Sequence, residues 1–153
     1  MKKLEKIAGI LTVVAIVLKF ASMPGAGMLI STSLGALACI YAFFGFAFFN
    51  EIRDEDIHNK EVYREISKTR MWITMLTGWG LSAICIGTLF LLMHWPRSET
   101  ILPAGLIVTF AVSVFSFFRS QSDFFKTIFP RVAIVGGAGL ILYIKSNFLN
   151  LPY

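Results

Sequence analysis

The chain has 153 residues, 56% hydrophobic and only 15% charged, with a mean hydropathy of +0.73. Soluble domains carry about 25% charged residues, so an ordinary water-soluble domain is excluded. The formal net charge of +5 does not mark a nucleic-acid binder, because five of the 14 basic residues (Arg53, Lys60, Arg64, Lys68, Arg70) share one segment with six carboxylates and form no basic face.

The carboxylates are absent in long runs: none lies between Glu5 and Glu51, none between Glu65 and Glu99, and Asp123 is the last. Lipid selects such runs, since a charge at the bilayer centre costs about 2.5 kcal/mol or more. The pattern predicts an all-α, polytopic transmembrane helix bundle: two helical hairpins (7–49 and 71–118), a cytoplasmic loop (50–70) and a fifth short transmembrane or re-entrant segment (127–145), together one membrane domain over 1–153.

The opening "MKKLEKIAGILTVVAIVL" has the basic start and apolar core of a signal peptide. It reads as a first membrane helix that also serves as the targeting signal. That helix is expected over about Ile7–Met23, about 26 Å at the helical rise, just enough for a hydrocarbon core of about 30 Å. "SMPGAG" then reverses the chain, proline stopping one helix and glycine allowing the tight turn.

The second helix is expected over Ala26–Phe49. Along it Gly27, Ser31, Gly35 and Cys39 recur every four residues, a spacing that lets another helix approach closely in lipid. The partner is either a neighbouring helix of the chain or another subunit. Its far end is rich in phenylalanine (Phe43, Phe44, Phe46, Phe48, Phe49), which suits lipid or an apolar partner.

The loop "EIRDEDIHNKEVYREISKTR" reads as a short helix laying Ile52, Val62, Tyr63 and Ile66 on the headgroup region. Asp54, Glu55, Asp56, His58 and Glu61 cluster there, but without EF-hand spacing or a His-x-x-x-His pair. A solvated, charge-mixed face is the expectation, and no metal site.

A third helix is expected over Met71–Trp95, with Gly78 and Ser82 as small packing residues, and a fourth over Ile101–Phe118. "HWPRSET" joins them, and its Pro96 lies 72 residues after Pro24, so the plan of the first hairpin repeats. The fifth segment, about Val132–Ile144 and small-rich from Gly136 to Gly139, spans only if Arg131 and Lys145 snorkel outward. Cys39 and Cys85 fall in mid-span and are expected as buried free thiols.

Lysine and arginine near span ends set orientation. With the N-terminus in the cytoplasm, eleven fall inside and only Arg97 and Lys145 outside, while Lys19 lies within a span. The proline turns then face out.

Lys19 and His94 are the candidate functional polar groups, each with a plain structural reading beside the functional one. A lysine four residues from a helix end snorkels to the interface. A histidine beside Trp95 belongs to the interfacial belt, where Pro24, Gly25, Trp95 and Pro96 form the turns, although an imidazole can also take a proton there. No span holds a carboxylate, which a proton or cation path usually needs. Catalytic residues are not found: no serine–histidine–acid set, phosphate loop or helical metal-ligand pair is present. No cofactor is expected.

Together "VLKFASMPGAGMLI" and "LFLLMHWPRSETILPAGL" resemble GldL, the inner-membrane gliding-motility family whose first hairpin carries a Lys-x-x-His-Trp-Pro-Gly-Ala-like turn. Here the elements are divided. The first hairpin keeps Lys19 and Pro24-Gly25-Ala26, with Ser22-Met23 where His-Trp would be. The second keeps His94, Trp95 and Pro96, with Leu91 for the lysine and Arg97 for the glycine. The resemblance implies kinship with a membrane motor that works with a partner protein and energises type IX secretion and gliding in Bacteroidota. The family's glutamate on the second helix has no counterpart, and its long cytoplasmic domain is not expected here, so no proton-motor mechanism carries over.

The expected function is a subunit or scaffold of a larger inner-membrane assembly, not an enzyme, with the bilayer and other membrane subunits or further copies as partners and no nucleic acid. The alternative is a small oligomeric ion or solute transporter or channel with Lys19 and His94 near its outer mouth. An enzyme acting on lipid ranks last, for want of polar residues converging near one leaflet.

Overall fold

The computed structural model describes residues 2–57, 59–64, 66–118 and 128–148, and all the regular structure among them is helical. Helix α1 spans Lys2–Phe20 and α2 Ala26–Phe49. A 3₁₀ turn at Asp54–Asp56 and the short α3, Lys60–Arg64, follow. Then come α4, Lys68–Leu92, and α5, Ser98–Phe118. After residue 128 the chain is helical again, passing through a π-helical turn at Val132–Gly136 into α6, Gly137–Phe148.

Among the described residues, four helices are long and apolar enough to cross a membrane: Ala26–Phe49, Lys68–Leu92, Ser98–Phe118 and Ile128–Asn147. The expected fifth segment is thus a continuous helix of 20 residues, about 30 Å long, and does not fold back on itself. Helix α1 is the one that falls short. It starts earlier than the expected Ile7 and ends earlier than Met23. Lys2, Lys3, Glu5, Lys6 and Lys19 all ride on it, leaving only residues 7–18 uncharged.

Helix α4 is the centre of the bundle, packing on α2, α5 and the last span, while α1 lies against α2. Small residues set these crossings, as lipid-embedded packing requires. A Cβ on Gly45 would sit 2.9 Å from the Gly78 Cα, and one on Gly78 would sit 2.5 Å from the Tyr41 carbonyl oxygen. The α4–α5 crossing is equally close: Cβ atoms on Gly87 and Gly105 would meet the backbones of Leu102 and Ile84 at 2.6 Å and 2.8 Å. On α1, Ala8, Thr12 and Ala15 are the buried positions, one face at helical spacing.

The antiparallel hairpins give the bundle two ends. One carries the 51–67 link, the start of α1 and Arg131; the other carries both proline turns and Lys145. In the link, Ile52 is buried rather than lying out toward headgroups, because its N–H bonds back to the Ala47 carbonyl at 2.9 Å and draws it under α2. Tyr63 stacks at 6.0 Å from Phe46 and donates to the Ile57 carbonyl; partial burial pushes its phenol above the usual range. His58 and Glu65 lie outside the described residues, and no group of three metal-ligating side chains occurs among those that are described. The phenylalanine-rich end of α2 divides: Phe48 and Phe49 are core, Phe43 and Phe44 exposed.

Candidate functional site

The two proline turns share one backbone geometry at the 72-residue offset. After α1, Ser22 takes φ 55°, Met23 N–H bonds to Leu18 O at 3.0 Å, and Ser22 N–H to Lys19 O at 3.0 Å. After α4, His94 takes φ 55°, Trp95 N–H bonds to Phe90 O at 2.8 Å, and His94 N–H to Leu91 O at 3.2 Å. Each is a Schellman cap, with a left-handed residue closing the helix and satisfying its last carbonyls. The next helix opens the same way in both: Gly25 (φ 84°) and Arg97 (φ 69°) follow the prolines and accept from the first-turn N–H groups. The predicted repeat of plan is therefore a repeat of hydrogen bonding.

His94 itself is exposed, and its backbone performs the capping. Trp95 packs edge-on against Phe90 at 5.3 Å. A cleft of about 570 Å³ opens at this end, lined by Leu91, the 94–100 turn and Ser146. Lys19, half-buried in the last turn of α1, is not among its lining residues. The neighbouring cation of the last span, Lys145, sits 4.3 Å above the Phe20 ring.

The predicted packing residues separate into two groups. Gly78 and Ser82 are buried in α4, Gly78 at the α2 crossing. The α2 stripe divides along its length, one end against the cap of α4 and the other turned outward. Gly27 lies under the Met93 side chain, and Ser31 donates to Gly27 O at 2.9 Å. A Cβ on Gly35 would meet nothing within 4 Å, and Cys39 is exposed. Of the two thiols expected to be buried, only Cys85 is, because Cys39 belongs to this outward stripe.

At the link end the structure assembles a polar cluster that sequence reasoning missed. Arg131 Nε donates to Glu5 Oε1 at 2.9 Å and Nη2 to Oε2 at 3.4 Å, while Tyr41 OH donates to the same Oε1 at 2.9 Å. Only 22% of the arginine side chain and 13% of the glutamate are exposed, and the guanidinium lies 4.5 Å from the Phe48 ring centroid. Three elements thus meet around one carboxylate. Beside them, Asn50 Nδ2 donates to Phe46 O at 2.7 Å and to Thr74 Oγ1 at 3.1 Å, tying the end of α2 to α4. Glu5 was legible as the sole carboxylate before Glu51, but nothing local announces a partner 126 residues away.

The all-helical bundle, with four helices able to cross a membrane, defines the class as a polytopic helical membrane protein. Residues 76–133 match the family model of the GldL N-terminal domain, less than half of the chain. The matched stretch takes in most of α4, the His94-Trp95-Pro96 turn, α5 and Arg131, so the second hairpin carries the GldL likeness. No curated protein and no solved structure matches the chain.

Proposed function

We propose that this chain is a non-enzymatic subunit or scaffold of a larger assembly in the bacterial inner membrane, GldL-like in its second hairpin and linked through that likeness to gliding or secretion machinery. The observation that carries the reading is the outward stripe of α2. Gly35 and Cys39 form a smooth surface that no other part of the described chain covers, and such surfaces in lipid suit close approach by another helix. The partner is a membrane subunit or a further copy, with acyl chains against the exposed Phe43, Phe110 and Ile141. No cofactor enters the proposal.

The N-terminus is proposed to be cytoplasmic. Lys3, Lys6, Arg53, Arg64 and Arg131 gather at the link end, against Lys19, Arg97 and Lys145 at the turn end, which follows the positive-inside bias.

The second reading, a small transporter or channel, rests on Lys19 and His94 sharing the turn end. It is weakened by the 570 Å³ cleft, which has His94 on its wall but not Lys19. Proteoliposomes separate the two. The subunit reading expects no specific ion or solute flux from the purified chain; flux that drops on Lys19→Ala or His94→Ala would replace it with the transporter.

A further inference from the structure

The last span meets the bundle at two places, one on either side of a π-helical turn. In its outer half Gly139 is pressed against α4 and α5: a Cβ there would lie 2.8 Å from Ile84 Cγ2 and 3.3 Å from Leu102 Cδ1. This close approach sets the phase of the span at Gly139. In its inner part Arg131 reaches across to Glu5 on α1. Between them lies the π-helical turn Val132–Gly136. A π turn holds one residue more than an α turn, and such turns often sit at functional positions. One residue is worth about 100° of helix phase at 3.6 residues per turn. With Gly139 held in place, rewinding this turn as α-helix would swing Arg131 by that angle and take the guanidinium off the carboxylate.

We propose that the Glu5–Arg131 pair and the π-helical turn form one latch, which sets the rotation of the inner end of the last span and joins it to α1. The turn aims Arg131 at Glu5, and the pair keeps the turn wound. Tyr41 and Phe48 of α2 complete the seat, one by its hydrogen bond to the carboxylate and the other beneath the guanidinium. The glycine that ends the turn and the one that follows it leave room to rewind: a Cβ on Gly137 would meet nothing within 4 Å, and one on Gly136 only Ile84 Cδ1 at 4.0 Å. At the outer end, Lys145 over the Phe20 ring keeps α1 and the span adjacent whatever the latch does. The device therefore opens the link end of the bundle alone. Two states of the last span follow, latched with a π turn and released with a continuous α-helix.

Spin labels on exposed positions test this in the full chain, with Cys39→Ser and Cys85→Ala as background. The pair Ile7→Cys and Phe129→Cys reads the inner half of the α1–span spacing, and Val17→Cys with Ile141→Cys reads the outer half. Glu5→Gln is expected to shift or broaden the inner distance by about 8 Å, the chord of that rotation at the side-chain radius, and to leave the outer distance unchanged. Deleting Ile134, an exposed residue of the turn, should produce the same inner shift although both charges remain. The exchange Glu5→Arg with Arg131→Glu should return the inner distance most of the way. An inner distance indifferent to Glu5→Gln, or to the deletion, overturns the latch. So does an outer distance that moves equally, which would mean the whole span had come away.

Discussion

His94 holds φ 55° at a helix end, where a side chain with a Cβ is disfavoured by about 1–2 kcal/mol. Glycine and asparagine accept that conformation, and β-branched residues resist it most. His94→Gly is therefore expected to raise thermal stability in detergent, by about 1 kcal/mol, and His94→Val to lower it by a similar amount. If the ring did essential chemistry instead, both substitutions would abolish function irrespective of melting temperature, so thermal melts read beside assembly separate the roles. Glu5 obeys different physics. Its carboxylate is mostly withdrawn from water and has Arg131 and Tyr41 around it. Removing one partner of a buried pair costs about 3–5 kcal/mol, and Arg131→Ala should approach the lower figure because the pair retains some exposure. Replacing both residues with leucine should cost much less in a denaturation series, since no uncompensated charge is left behind.

At the scale of the element, glycines that look alike in sequence have opposite roles. Gly78 is locked between Tyr41 and Gly45, whereas a Cβ added to Gly35, on the stripe of α2, would meet nothing within 4 Å. Gly78→Leu should disrupt the α2–α4 crossing and yield an aggregating or poorly expressed protein. Gly35→Leu should leave the monomer intact. Size-exclusion chromatography and melting curves compare the two, and equal damage from both would place another helix of this same chain on the stripe. Helix α1 shows how an element can be composed for the membrane in part only. Its 12 uncharged residues, 7–18, reach about 18 Å, so its lysines must extend from both ends and Glu5 must be neutralised within the bundle.

Across the whole molecule, the helices and their order could be read from hydrophobic runs and proline turns, because both signals are local. The bounds of α2 are those expected, and α5 differs only in its polar first turn; α4 likewise starts earlier, at Lys68, but also ends earlier, at Leu92, where His94 closes it before Trp95. The uncharged run alone makes the last span look too short, whereas the helix continues to Ile128 behind Arg131. Helix α1 ends before its apolar run does because Ser22 caps it, and it begins before that run, at Lys2, through a charged first turn. What stayed hidden was tertiary. Which small-residue stripe packs inside, and which arginine answers Glu5, depends on helix rotation rather than on any spacing along the chain. The hairpin arrangement also predicts sidedness: in intact cells, an impermeant thiol reagent added from the periplasmic side should label Arg97→Cys and spare Glu55→Cys in a chain lacking Cys39 and Cys85. The reverse pattern would invert the bundle.

The proposed subunit role requires α2 to present its small-residue stripe to another subunit. Native mass spectrometry of the complex released gently from its own membrane tests it most directly. The account predicts a mass well above the 17.1 kDa of a single chain, reduced to the single chain by Gly35→Leu without loss of helical content. A lone chain from the unsubstituted protein, or an assembly that survives Gly35→Leu unchanged, would contradict it.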